Sequence, residues 1–177
     1  KDFKKKVAYF SMEFAIHQDL HIYSGGLGFL AGSHMRSAYE LKQNLIGIGM
    51  LWKFGYYDQQ RNEDQTLSTN FIERHYDFLE DTGIEVEVQL HDNPHVKVRA
   101  YKLKPETFGT VPMYFLSTDV EGNDHLSRTI TNHLYDANEL TRISQSIVLG
   151  VGGAKVVEAL GGADIYHLNE GHGLPAF

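Results

Sequence analysis

A glycine-rich stretch near the start of the chain has the composition of an anion-binding turn. Residues 22–34 read IYSGGLGFLAGSH, and apolar residues at helical spacing follow the first glycines. The first N–H groups of a helix have no intrahelical acceptor, and glycine lacks the Cβ atom that would keep a ligand away. The turn could therefore contact a phosphate group or a sugar oxygen. The alternative is that its glycines only permit a tight turn and close helix packing.

Three polar side chains follow the last predicted strand, in the sequence HLNEGHG (residues 167–173). Asn169, Glu170 and His172 supply an amide, a carboxyl group and an imidazole, a mixture that suits sugar hydroxyls at the carboxyl end of a strand. A metal site is disfavoured, because the two histidines do not have the i, i+4 spacing of a zinc-binding helix. A further interpretation is that His172 only caps the following helix.

A carboxyl group, that of Glu13, lies in SMEF at the end of the first predicted strand. Because the carboxyl ends of parallel strands meet at one edge of a sheet, we expect Glu13 to lie on the same edge as both the glycine turn and the group formed by Asn169, Glu170 and His172. A carboxyl group buried there needs hydrogen-bond partners, which sugar hydroxyls or a nearby arginine could supply.

The glycine turn also satisfies the dinucleotide-binding pattern G-x-G-x-x-A, through Gly26, Gly28 and Ala31. In that pattern the first glycine follows the strand at once, whereas residues 15–24 intervene here. The next predicted strand ends in Trp52 instead of the carboxylate that would hold a ribose. Both departures argue against a nicotinamide cofactor.

The elements that position these residues alternate between strand and helix, which predicts an α/β fold with a Rossmann-like parallel sheet. An antiparallel hairpin with one solvated face is predicted as an insertion at about 83–104. The glycines of residues 150–162 are expected to allow close helix packing. Strands are predicted at 6–14, 44–52, 111–119 and 163–170, and helices at 26–42 and 138–160.

Composition narrows the class of protein. The chain has 177 residues, a net charge of −7 and no cysteine. The negative charge disfavours nucleic acid as a partner, and the absence of cysteine excludes disulfides and thiolate metal sites. No apolar run has the length of a membrane span, and the first residues do not form a signal peptide. We therefore expect a cytoplasmic protein without a membrane partner.

Three ordered stretches together resemble one family. AYFSMEFAIHQDLHIYSGGLGFLAG, GIGMLWKFGYYDQQ and HLNEGHGLPAF, with the helix NELTRISQSIVLGVGGAKVVEALG before the last, are similar to the α-glucan phosphorylases of the bacterial and archaeal type. The resemblance implies that residues 1–177 are part of the N-terminal domain of a GT-B glycosyltransferase. The second domain, which carries the cofactor, is absent from this sequence. The first residue, Lys1, and the helix opening at the end also lead us to expect a fragment.

The resemblance implies an activity for the complete enzyme and roles for residues here. The activity is transfer of terminal α-1,4-glucosyl units from glycogen or maltodextrin to inorganic phosphate, giving glucose 1-phosphate. The cofactor implied is pyridoxal 5'-phosphate, whose attachment lysine belongs to the second domain. Phosphate- and cofactor-facing backbone is expected at Gly25, Gly26 and Gly28. Substrate-binding residues are expected at Glu13, Leu27, Asn169, Glu170 and His172.

The catalytic set is incomplete in this segment, so we expect the segment alone to be inactive, and we expect no metal site. Whether the whole protein is a homo-oligomer stays open. Two alternatives remain: a noncatalytic glucan-binding module, and a glycosyltransferase similar to the glycogen and starch synthases, which share a related GGLG turn. The synthases lack SMEF before that turn and LNEGH after it.

Overall fold

A mixed β-sheet with helices on both faces forms the frame of the protein. The computed structural model describes residues 4–55, 58–61, 67–70 and 75–169. The strands are β1 (Val7–Phe10), β2 (Leu45–Met50), β3 (Asp58–Arg61), β4 (Leu67–Asn70), β5 (Leu79–Val88), β6 (Val96–Leu103), β7 (Met113–Ser117) and β8 (Ile165–Leu168). The helices are α1 (Gly26–Glu40), α2 (Pro105–Phe108), α3 (His125–Arg128), α4 (Glu139–Ile147) and α5 (Gly153–Ala159), with a π-helical turn (Val148–Gly152) between α4 and α5.

The main sheet has the strand order β5-β6-β7-β2-β1-β8. The pairs from β7 to β8 are parallel, which confirms the α/β prediction for this part. The prediction of a parallel sheet with an inserted hairpin is wrong in one respect, because β6 pairs antiparallel with β7 and extends the same sheet. The hairpin also begins at Leu79, earlier than predicted. Pairing supplies partners for the N–H and C=O groups along the outer side of β7, which would otherwise form an open edge.

Strand β2 lies in the middle of the sheet and is buried on both faces. A Cβ atom on Gly47 would lie 3.1 Å from the sulfur of Met35 in α1. On the other face, a Cβ atom on Gly153 of α5 would lie 3.0 Å from Ile48 and 2.8 Å from Phe10. Since neighbouring residues of a strand point to opposite faces, α1 covers one face of the sheet and α5 the other.

The hairpin of β5 and β6 has one apolar face, as its alternating pattern predicts. Val96, Val98 and Ala100 of β6 are buried, while charged residues of β5 alternate with half-buried ones. A Cβ atom on Gly152 would lie at ordinary contact distance from Val88 and Val98. The apolar face therefore packs on the π-helical turn.

The helix predicted at 138–160 forms as α4, the π-helical turn and α5 in succession. Asn138 caps its start by accepting a hydrogen bond from the N–H of Thr141 at 3.2 Å. Gly153 confirms the expectation of close helix packing, since its missing Cβ makes room for Phe10. Within the part of the chain that the structure describes, none of the helices combines the length and the apolar character needed to cross a membrane.

Helix α1 packs tightly against the segment that follows β1. A Cβ atom on Gly32 would overlap the carbonyl oxygen of Ala15, and the backbone of Ala15 has little room to move because its N–H donates to the carbonyl of Gly28 at 2.8 Å. Arg36, one turn further along α1, donates to the carbonyl oxygens of Ile16 and Phe108. The helix is thus fixed to the loop that leads to the glycine turn.

We predict that Gly32→Ala destabilises the protein by about 2 kcal/mol, because the added methyl group forces α1 away from Ala15. The matched control is Gly26→Ala, which adds the same atom to the first turn of the same helix. Among the described residues, no heavy atom other than those of the adjacent residues and the helix's own backbone lies within 4 Å of that position, so the control should be neutral or gain up to about 1 kcal/mol. Urea unfolding curves of the two variants and the wild type provide the measurement. Equal midpoints for Gly32→Ala and the wild type would contradict the packing argument.

A second prediction concerns His34 of α1, whose ring lies 5.0 Å from that of Tyr9 and 6.4 Å from that of His167. Burial lowers the pKa of His34 below its ordinary value of 6.5, and the neighbouring His167 lowers it further. His34 therefore binds a proton at a higher pH in the unfolded chain than in the folded chain. Lowering the pH below the ordinary value of 6.5 consequently favours unfolding.

Lowering the pH from about 7.5 to about 5.5 should decrease the urea midpoint of the wild type, and His34→Gln should reduce that decrease. The comparison between the two proteins isolates His34 from the other titrating groups. A decrease of the same size in both proteins would show that His34 makes no contribution.

Candidate functional site

Glu13 lies just beyond the carboxyl end of β1 and is buried, with 2% of its surface exposed. The backbone around it is fixed from two sides. The hydroxyl of Ser11 donates to the carbonyl of Glu13 at 2.8 Å, and the indole of Trp52, which follows β2, donates to the carbonyl of Met12 at 2.9 Å. The backbone at Glu13 is therefore held by the segments that follow β1 and β2.

The carboxyl group of Glu13 accepts hydrogen bonds from the glycine turn. Its Oε2 atom accepts from the N–H of Ser24 at 2.6 Å, from the hydroxyl of Ser24 at 3.1 Å and from the N–H of Gly25 at 3.4 Å. Hydrogen bonds to a carboxylate are stronger than neutral ones. The turn is therefore held directly against the end of β1, as expected from the sequence.

The glycines of the turn have two different roles. A Cβ atom on Gly28 would lie 2.8 Å from Cβ of Tyr23 and 3.2 Å from Oε2 of Glu13, so this glycine is required by packing within the protein. A Cβ atom on Gly25 or Gly26 would have no heavy atom within 4 Å. Packing therefore explains Gly28, and the space in front of Gly25 and Gly26 is open among the described residues.

The open part of the turn is also the start of α1. Gly25 is the N-cap residue, in an extended conformation, and as a glycine it has no side chain that could cap the helix. Gly26 is exposed and Leu27 is half-buried. The first N–H groups of a helix have no intrahelical acceptor and lie at the positive end of its dipole. The turn can therefore offer N–H groups to an anion.

The separation between β1 and α1 differs from that of a dinucleotide-binding turn. Residues 11–25 lie between the end of β1 and the start of α1, whereas that turn joins strand and helix directly. Trp52, at the position expected for the ribose-binding carboxylate, is buried and donates to a main-chain carbonyl. The geometry agrees with the sequence argument against this site.

Asn169 lies at the same edge of the sheet, directly after β8. Its side chain is buried and donates from Nδ2 to the hydroxyl of Ser11 at 3.2 Å. Ser11 in turn bonds the backbone of Glu13, so Asn169 and Glu13 are connected through one hydroxyl group. Glu170 and His172 lie outside the described residues, and their roles stay predictions.

Tyr135 is a member of this site that the sequence analysis missed. Its hydroxyl donates to Oε1 of Glu13 at 2.8 Å, across a separation of 122 residues. It belongs to the loop between α3 and α4 and has a backbone φ of +54°. No sequence pattern around Tyr135 indicates the contact, because the contact depends on how this loop is placed over the sheet.

A second polar region lies at the carboxyl ends of β2 and β7. Asp119 forms ion pairs with Lys53 at 3.1 Å and with Arg128 at 2.8 Å. Burial opposes ionisation of Asp119, but hydrogen bonds from Arg128 and Lys53 outweigh it and lower the pKa of Asp119. A cavity of about 260 Å³ lies beside this cluster, lined partly by Tyr76 and Tyr101. Lys53 and Arg128 are paired with Asp119, so this cluster offers an anion less positive charge than two unpaired cations would.

The chain is similar over nearly its whole length to parts of longer proteins. It is 53% identical over 171 residues to an uncharacterized protein of Methanocaldococcus jannaschii, covering 97% of this chain and 33% of that protein. It is 38% identical over 183 residues to maltodextrin phosphorylase of Thermococcus litoralis, covering 98% of this chain and 21% of that enzyme. It is 34% identical over 185 residues to glycogen phosphorylase of Mycobacterium tuberculosis, covering 94% and 20%.

The chain thus spans between a fifth and a third of the length of these relatives. No protein-family model matches it. The maltodextrin phosphorylase and the glycogen phosphorylase both align with almost the whole chain. The aligned part includes the glycine turn, Glu13 and Tyr135.

The hydrogen bonds of Glu13 lead to a prediction on stability. Glu13→Leu removes the acceptor for the N–H groups of Ser24 and Gly25 and should cost about 3 kcal/mol. Glu13→Gln keeps one oxygen for the turn, and its amide can donate to the hydroxyl oxygen of Tyr135, so it should cost about 1 kcal/mol. Urea unfolding of the two variants measures the difference. Equal losses would mean that the side chain contributes by its volume and not by its acceptor atoms.

Proposed function

This chain is homologous to one part of the α-glucan phosphorylases, and we propose that it forms the phosphate- and sugar-facing wall of such an enzyme. The reaction proposed for the whole protein is transfer of a terminal α-1,4-linked glucosyl unit of glycogen or maltodextrin to inorganic phosphate, which yields glucose 1-phosphate. The observation that carries the proposal is the open helix start at Gly25 and Gly26, held by Glu13 at the carboxyl edge of the parallel strands.

The main-chain N–H groups of Gly26 and Leu27 are the donors that we assign to an anionic oxygen. Oriented N–H groups cost no reorganisation when negative charge develops in front of them, so they stabilise a transition state more than free water does. The first turn of α1 contains no acidic residue of its own, and the carboxyl group of Glu13 beside it is already bonded by Ser24, Gly25 and Tyr135.

Glu13 has a supporting role in this proposal. Its two carboxyl oxygens already accept hydrogen bonds from Ser24, Gly25 and Tyr135, and the side chain is almost fully buried. It therefore acts by fixing the direction of the turn. Direct sugar contacts are assigned to the region after β8, to Asn169 and to Glu170 and His172, which lie outside the described residues.

The cofactor implied by the homology is pyridoxal 5'-phosphate. The residues present are compatible with it, because the space in front of Gly25 and Gly26 holds no described protein atom and the adjoining helix start favours a phosphate. When bound, the cofactor would supply a phosphate group able to exchange a proton with the substrate phosphate. This chain would contribute N–H donors to that region, while the attachment lysine would lie elsewhere in the whole protein.

The test uses the protein produced from its complete gene. We predict that it absorbs light as a pyridoxal phosphate protein, and that it releases glucose 1-phosphate from maltoheptaose and inorganic phosphate. Residues 1–177 expressed alone serve as the negative control and should release no glucose 1-phosphate. A whole protein that binds maltoheptaose without cofactor or product would favour the noncatalytic glucan-binding module. Transfer from a nucleotide sugar to a glucan would favour the synthase-like alternative.

A further inference from the structure

We infer that Tyr135 is a positioning residue that holds the glycine turn through Glu13. Its hydroxyl bonds Oε1 of Glu13 at 2.8 Å, while the other oxygen of the same carboxyl group bonds the N–H groups of Ser24 and Gly25. The carboxyl group is thus bound at both oxygens, and neither can turn away from the helix start without losing a hydrogen bond. The inference rests on the proposed function and adds a residue to that site.

The backbone of Tyr135 supports a role beyond packing. A φ of +54° lies in the left-handed region, where a bulky side chain other than Asn or Asp is uncommon. Such a conformation persists only where the surrounding structure holds it, and it occurs preferentially at functional sites. Tyr135 is 47% exposed, so part of it lies in solvent.

The loop around Tyr135 is anchored firmly enough to hold this conformation. The buried side chain of Gln145, in α4, donates to the carbonyl oxygens of Ile130 and His133, at 3.0 Å each. The N–H of Leu134 donates to the carbonyl of Gly55 at 3.4 Å. On the other side, the N–H of Asn138 donates to the side chain of Asp136 at 2.8 Å. The hydroxyl of Tyr135 is therefore presented to Glu13 from a frame fixed on both sides.

The hydrogen bond from Tyr135 to Glu13 links the loop to the open turn. Among the described residues, no main-chain hydrogen bond joins these two segments. Without the hydroxyl, Oε1 of Glu13 loses its described donor, and the carboxyl group can rotate about its terminal torsion. The N–H groups of the turn would then be held less precisely. Loss of precision in groups that contact the reacting phosphate decreases the rate without unfolding the protein.

The experiment measures phosphorolysis of maltoheptaose by the whole protein, with kcat and KM for inorganic phosphate. Tyr135→Phe should lower kcat/KM about tenfold, because it removes one hydrogen bond to a carboxylate. The matched control is Tyr166→Phe, which removes a hydroxyl that bonds another carboxyl group, that of Glu158, at 3.0 Å on the surface. The control should stay within about twofold of the wild type.

Two further variants separate positioning from a purely structural role. In a Glu13→Leu background, which has no polar atom for the hydroxyl to bond, Tyr135→Phe should change kcat/KM by less than about twofold, because its effect passes through the carboxyl group of Glu13. Tyr135→Asn relieves the positive φ but leaves Oε1 of Glu13 without this donor, so it should lower kcat/KM at least as much as Tyr135→Phe does. If Tyr135 acted only through the backbone conformation of its loop, the Asn variant would be as active as the wild type.

Each outcome decides one question. No glucose 1-phosphate from the wild type overturns the proposed function, and this inference with it. An active wild type with an unchanged Tyr135→Phe variant overturns the inference and leaves the proposed function standing. A tenfold loss that is equally large in the Glu13→Leu background also overturns it, because Tyr135 would then act independently of the carboxyl group of Glu13.

Discussion

The burial of one carboxyl group, that of Glu13, is the constraint on which the site depends. A carboxyl group removed from water must take its hydrogen bonds from the protein, and here the donors come from a turn and a loop far apart in sequence. The turn leads into α1, and the loop leads into the helical stretch that ends in α5. Helices α1 and α5 cover opposite faces of the sheet. The carboxyl edge of the sheet, the start of α1 and the loop before α4 are consequently fixed relative to one another.

The glycines contribute to this arrangement in two ways: two of them allow close packing, and two leave the start of the helix open. At Gly28 and Gly32 the missing Cβ lets α1 approach Glu13 and Ala15, so these residues determine where the helix lies. At Gly25 and Gly26 no described atom of the protein comes close, so their missing side chains leave the helix start accessible. The same short stretch therefore fixes a helix at one end and exposes N–H groups at the other.

The sheet has a parallel part, which carries the site, and an antiparallel part, which lies beside it. Its parallel strands, from β7 to β8, are covered by helices and carry the site at their carboxyl ends. The antiparallel hairpin extends the sheet on the side away from the site and packs its apolar face on the π-helical turn. None of the hydrogen bonds described for Glu13 comes from the hairpin.

The sequence by itself determined the local features. Helical spacing and glycine content located α1 and its open start, apolar runs located β2 and β7, and alternation located β5 and β6, because each of these signals arises from neighbouring residues. Only the tertiary structure decided what the distant parts contact. The pairing of β6 with β7 and the bond from Tyr135 to Glu13 join residues that no local pattern relates. The distinction between Gly25 and Gly28 also depends on what lies opposite each residue in space, which is set by the packing of the whole fold.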